Sequence, residues 1–435
     1  MLPIRHDALF LSVVIIILLH SVRISFAMTS NVSKRMLRVA EPAWRAAAAQ
    51  HRETIHSLLQ PGLTPHKHVL NSGKLRQQNT DHTDRWTALD PINPVYNFLI
   101  EYYGLKGAKG PRRLARWSPS PALILGRADA IDTVEELLST SQTKTATTIT
   151  DESIRCGGIL LEGANTDDLG TALHLRGSMP HPNGVVYSPR FFFNQAETKA
   201  ANPFYWYRSI LQQTLTAEPV LHCHGLHEWA MQYWPDGAEP PPSQKYQINL
   251  PLRVSQQTIN RAVERRGISC THVDALRFFA PAAGPLNHHG SSLTRQDQLK
   301  FEQPACVHAH MDLLKMSMRL QPYCDPVLVQ RVLSLALSAR TLDVAASPYD
   351  ASSYHVEVIP IETCEGRAIY RQQQAQLMVE AKPIREELLR AYDLFLAFGG
   401  PDISPLSPDP ERFARAEPGG LSWRRNLIDM AEGLS

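Results

Sequence analysis

The chain has 435 residues, 43% hydrophobic and 20% charged, and its 44 Lys and Arg nearly cancel 42 Asp and Glu to leave a formal charge of +2. That length exceeds what one small core organises, the composition suits a folded, soluble body, and the near-neutral balance names no partner. Six scattered cysteines without a C-x-x-C pair argue against a disulfide framework and against a zinc ribbon.

At the N-terminus, Arg5 and His6 precede an apolar run over 9–19 that is too short to span a bilayer comfortably. Ser25-Phe26-Ala27 offers the small-x-small pattern of a signal peptidase, so residues 1–27 read as a signal peptide. Residues 28–39 are basic and hydroxyl-rich without an acid, a transit-like linker. Together they resemble the bipartite leaders of algae with complex plastids. The expectation is passage through the secretory route to such a plastid rather than secretion, with no stable membrane span in the mature chain.

Residues 40–398 read as a mainly α catalytic domain, one large helical body or two lobes with minor β. Residues 40–59 predict a helix with Pro42 in its first turn. Residues 93–103 predict a buried aromatic helix, 139–153 an exposed low-complexity insertion, and 203–217 a helix with Tyr205 and Trp206 in the core. Residues 246–254 alternate as a strand. Helical spacing returns over 306–320, 326–343 and 365–398, where Pro383 is expected to break or kink the last run. Residues 399–435 read as a flexible tail.

Two segments concentrate the reactive side chains: Leu221-His222-Cys223-His224-Gly225-Leu226-His227-Glu228-Trp229, and Glu302 through Asp312 with His308 and His310. Imidazoles beside carboxylates point to acid/base or metal chemistry. On a helical wheel His308, Asp312, Lys315 and Arg319 form one narrow polar stripe on an otherwise apolar helix, facing either an internal cavity or solvent. A zinc reading joins His222, His224 and His227, or two of these with His308, without an H-E-x-x-H motif to complete it. Asp274 with Arg277, Phe278 and Phe279, and the turn bearing Tyr349 and Asp350, are candidate substrate contacts. Arg112, Arg113 and Arg116 belong to the only dense basic run, flanked by Tyr102, Tyr103 and Trp117, which suits either a phosphate backbone or a solvated turn. No G-x-S-x-G elbow, Walker A loop or Rossmann glycine fingerprint occurs.

Several stretches recur together: Asn93-Pro94-Val95-Tyr96-Asn97-Phe98-Leu99, Arg112-Arg113-Leu114, Arg116-Trp117-Ser118-Pro119, Gly225-Leu226-His227-Glu228-Trp229, Asp274-Ala275-Leu276-Arg277-Phe278-Phe279, Glu302-Gln303-Pro304-Ala305-Cys306-Val307-His308, Met311-Asp312-Leu313 with Lys315, Ser347-Pro348-Tyr349-Asp350 and Glu362-Thr363-Cys364-Glu365-Gly366-Arg367. With these the chain resembles a bacterial and plant family that carries the label 3-methyladenine DNA glycosylase. At His222, His224 and His310 it departs from the family's pattern, leaving His227, Glu228, His308 and Asp312 as the stronger candidates.

The resemblance implies hydrolysis of the N-glycosidic bond of an alkylated purine in DNA. Asp312 or Glu228 would be the carboxylate, His227 or His308 the proton carrier, Trp229, Phe278 and Phe279 the base pocket, and Arg112, Arg113 and Arg116 the phosphate contacts. That reaction requires no cofactor. A second expectation is a metal-dependent (zinc or iron) or acid/base enzyme on a small plastid metabolite, using His227, Glu228, His308 and Asp312. A third is a helical protein enclosing a tetrapyrrole, with His227 or His308 as axial ligand.

Overall fold

The computed structural model describes residues 36–65, 86–119, 158–187, 202–235, 237 and 250–399. The stretches read as a signal peptide (1–27), most of a transit-like linker (28–39), an insertion (139–153) and a tail (beyond 399) lie outside these residues.

Strand β1 (Met36–Val39) leads into helix α1 (Glu41–Leu59). The short helices α2 (Asn97–Glu101) and α3 (Lys109–Leu114) follow, then strands β2 (Gly158–Glu162), β3 (Ser178–His181) and β4 (Gly184–Tyr187). Helix α4 (Asn202–Thr216) precedes four brief ones: α5 (Leu226–Met231), α6 (Gln256–Glu264), α7 (Val273–Leu276) and α8 (Gln298–Phe301). The long helices α9 (Val307–Leu320), α10 (Pro326–Ala345) and α11 (Cys364–Gly399) complete a mainly helical fold with one small sheet.

Helix α1 has Pro42 in its first turn and buries Trp44, Ala48, His51, Ile55 and Leu59, a single stripe at helical spacing. Helix α10 starts where the Asp325 carboxylate accepts from the Val327 amide at 2.7 Å. Its buried residues run around most of its girth, so it must be enclosed, and it is: α9, α11 and α1 all pack on it. The sheet has order β1-β2-β4-β3, with β1 parallel to β2 and the remaining pairs antiparallel. Ile159, Leu161, Val185 and Tyr187 face the main core, while Leu160 and Val186 turn to the other side against Met179.

Four expectations change. The aromatic helix over 93–103 shortens to α2, because the Asn93 side chain accepts from the Val95 amide and makes a turn there. In α4 it is Phe204, with Trp206, that enters the core, while Tyr205 stays half-exposed. The 246–254 strand does not form in its described part: beside Pro251, Leu252 makes one isolated bridge to Tyr349. Helix α11 continues through Pro383; the carbonyl that loses its donor is that of Val379, on an exposed turn where water can reach it.

No helix among the described residues is long and apolar enough to cross a membrane. The five described cysteines are free.

Candidate metal centre

Two successive left-handed residues, His224 (φ 50°) and Gly225 (φ 67°), turn the chain into α5. Gly225 lies against the end of α10, where an added β-carbon would meet the Ala346 methyl at 3.4 Å. All six residues of α5 are buried, and Trp229 donates its indole N–H to the Ala346 carbonyl at 2.8 Å. That bond pins α5 to the C-cap of α10.

The clamp sets His227 Nε2 2.7 Å from Asp343 Oδ1 of α10. The contact lacks hydrogen-bond alignment, and both atoms are buried without another partner. An imidazole and a carboxylate this close without hydrogen-bond alignment fit either an ion pair or two ligands aimed at one shared atom. Asp343 is held from behind: its Oδ2 accepts from Arg340 Nη1, which also reaches Glu228 Oε1 at 3.0 Å, while Arg340 Nε donates to the Pro94 carbonyl at 3.0 Å.

Helix α9 supplies the next member. The His308 ring meets His227 edge to face at 4.5 Å and stacks on His272 at 4.9 Å and 21°. His227, His308 and Asp343 each present one ligand atom, all within 4.8 Å of one another. His272, Glu302 and Asp312 do the same beside them, also within 4.8 Å. His272 lies 3.4 Å from Asp312 Oδ2, and Glu302 accepts from Gln298 Nε2 at 3.2 Å. Among the described residues neither buried ring nitrogen of His272 has an aligned hydrogen-bond partner, and the residue is 3% exposed. A buried imidazole with neither nitrogen satisfied needs an explanation, and a cation between it and its carboxylates supplies one.

The electrostatics suit ligation at His308, Asp343 and Asp312, whereas at His227, His272 and Glu302 a cation would have to displace a proton. Burial, then the neighbouring His227 and His272, push the His308 imidazole well down, so it stays neutral with a free lone pair. Burial alone would raise Asp343, but His227 and Arg340 outweigh it and hold the carboxylate ionised. Lys315 and His272 do the same for Asp312. Burial lowers His227 and His272, yet Asp343 and Asp312 respectively overcome it and raise both. Burial lifts Glu302 above the usual carboxylate range.

His227, His308 and Asp312 thus come together, and the His308/Asp312/Lys315 stripe faces inward, onto α7 and the turn before α9. Glu228 stands behind this group, on Arg340. The three-histidine arrangement does not assemble: His222 is exposed, and the left-handed turn sends the His224 ring towards Tyr370 of α11, 6.1 Å away. Burial, with Arg367 nearby, pushes His224 down to about 4. His310 points from α9 to the Arg385 guanidinium at 3.5 Å.

The expected base pocket does not form around Trp229, whose ring is wholly buried and bonded to Ala346. Phe278 lies edge-on to Tyr102 at 6.2 Å under the Arg277 guanidinium, and Phe279 packs against the core. Asp274 pairs with Arg295, Arg277 and Lys315. Tyr349 is buried one layer out, its hydroxyl accepting from Gln232 at 3.0 Å, while Asp350 accepts from the Ser352 amide in a surface turn. Arg112 reaches the Trp86 carbonyl, and Arg113 and Arg116 lie beside each other near His174, a separate cluster at α3 and α1.

Sequence reasoning missed Arg340, Asp343, His272 and Glu302. Arg340 and Asp343 had a signal: a charged i,i+3 pair within an almost wholly apolar run has to be buried together. His272 and Glu302 had none beyond lying in reactive segments, because only the fold brings α7, α8 and α9 side by side.

Neither a scan against protein-family models nor searches of curated proteins and of solved structures found a match.

Proposed function

We propose that this chain is a metal-dependent hydrolase acting on a small molecule. Its centre would hold a zinc or iron ion between His227, His308 and Asp343, with His272, Glu302 and Asp312 as a second ligand set alongside. The observation that carries the reading is the pair of three-ligand groups in which His227 Nε2 and both His272 nitrogens are buried with no aligned hydrogen-bond partner among the described residues. Two histidines and one carboxylate suit either ion, and three protein ligands leave a position open for water. A cation held there would supply Lewis-acid chemistry, lowering the pKa of such a water towards neutrality. Adjacent ligand sets suit a second cation that steadies the leaving oxygen. Arg340 and Glu228 would fix Asp343 in place as the outer layer of such sites does.

A thermal melt tests this directly. Added zinc or ferrous ion at about 100 times its dissociation constant should stabilise the protein by about 2.7 kcal/mol. The Asp343→Asn variant should lose most of that gain. Equal melts with and without metal, in both proteins, would overturn the proposal.

Cleavage of the N-glycosidic bond of an alkylated purine in DNA is the second reading. What favours it is Asp312, a buried carboxylate held ionised, as an oxocarbenium-like transition state needs. Its base would have to stack on Tyr102 and Phe278 rather than on Trp229. Release of free base from methylated duplex by the metal-free protein, abolished in Asp312→Asn, would favour it over the metal reading. The tetrapyrrole expectation has less support: His227 and His308 meet edge to face at 4.5 Å, surroundings for a small ion rather than a macrocycle.

A further inference from the structure

Next to the second ligand set, three cations converge on one carboxylate. Arg295 Nη2 lies 3.2 Å from both oxygens of Asp274, Arg277 Nη1 lies 3.7 Å from Oδ1, and Lys315 Nζ stands 4.0 Å from Oδ2. The two guanidiniums are about half exposed, at 47% and 51%, whereas the Lys315 side chain is 19% exposed, so the group runs from the protein surface inward. Asp274 balances one of the three charges. Among the described residues the other carboxylate near Lys315 is Asp312, which also belongs to the ligand set.

The donors there are not used up. Lys315 has three N–H groups and makes no hydrogen bond among the described residues. A partly buried ammonium with idle donors, one turn of α9 from Asp312, is what an anionic group entering from solvent would meet.

We propose that Lys315, Arg295 and Arg277 bind the anionic group of the substrate, a phosphate or a carboxylate, and hold the rest of the molecule over the His227/His308 centre. The position of the scissile bond rests on the metal-centre reading; the anion binding itself does not. Lys315 marks the inner end, where the anion meets the ligand set, and Arg277 and Arg295 form the outer rim. Asp274 orients the three cations and is displaced from none of them.

The test is calorimetric titration of the whole chain with inorganic phosphate and, separately, with acetate, both after chelator treatment and after loading with zinc. Lys315→Gln should weaken the bound anion about tenfold in both states, Arg295→Gln should weaken it less, and Lys315→Arg should stay near wild type. Tighter phosphate assigns a phosphorylated substrate, and tighter acetate a carboxylate. Should Lys315→Gln fail to fold, Arg295→Gln, on the exposed rim, carries the same test. Neither anion binding, or affinity unchanged in Lys315→Gln and Arg295→Gln, would overturn the inference even if zinc binds. Anion binding that is lost in Lys315→Gln while no metal binds would uphold it and remove the metal reading alone.

Discussion

Arg340 is the residue on which the centre's order depends. One guanidinium contacts Asp343, Glu228 and the Pro94 carbonyl, tying α10, α5 and the turn before α2 together. Replacing it with Met would leave two buried carboxylates without their cation, a loss expected to cost about 3–5 kcal/mol. Chemical denaturation of Arg340→Met would show it, and a loss below about 1 kcal/mol would mean that water or the histidines already compensate those charges. Trp229→Phe removes a buried hydrogen bond, leaves the Ala346 carbonyl unpaired and empties part of a wholly buried site, so at least about 1–3 kcal/mol is expected there. Residue identity alone pointed to His227, His308 and Asp312, because imidazoles and acids at helical spacing stand out. It could not show that Trp229 is structural, since an indole serves equally in a pocket or a core.

Among the elements, α10 and α5 divide the work. Helix α10 is the enclosed axis, and Leu333 is wholly buried in it; Leu333→Ala should cost about 2–5 kcal/mol through the cavity it leaves. The exposed Val327 of the same helix should tolerate Ala with little change, which makes the pair an internal comparison by thermal melt. Helix α5 depends instead on its entry turn. Gly225→Ala forces a β-carbon into left-handed backbone, at a cost of about 1–2 kcal/mol, and should loosen His227 from Asp343. The long helices were readable from apolar spacing because burial and a 3.6-residue period leave the same mark. The short helices around the centre were not, since four to six residues carry too little periodicity. Pro383 failed to end α11 because tertiary packing on α4, α9 and α10 outweighs one lost hydrogen bond.

At the scale of the molecule, buried imidazoles should make the fold sensitive to mild acid. Burial, with the cationic Arg116 beside it, pushes His174 down to about 3, and burial lowers His51 as well. His51 is bonded at both nitrogens, to the Leu114 carbonyl at 2.8 Å and to Gln330 at 2.9 Å, which suits the neutral ring. A base whose folded pKa is depressed takes up its proton in the unfolded chain first. Stability is therefore intact above about 6.5 and falls as pH drops from there. His174→Gln should remove about 1–2 kcal/mol of the loss between pH 7 and pH 5, read by denaturant melts at each pH. Identical slopes for variant and wild type would show that His174 titrates normally. The β-sheet that flanks this region escaped the sequence, because β3 and β4 hold four residues each and their pairing with β2 is non-local.

Side chains from α5, the turn into α7, α9, α10 and the turn before α9 converge at one buried point, and the proposed cation would give that convergence a purpose. Elemental analysis of the whole chain, purified without chelator, asks for it outright. About one to two equivalents of a first-row metal per chain are expected, falling to near zero in a His227→Gln/His272→Gln double variant that still melts cooperatively. A folded wild-type protein that carries no metal, and takes up none on dialysis against zinc or ferrous ion, would contradict the account.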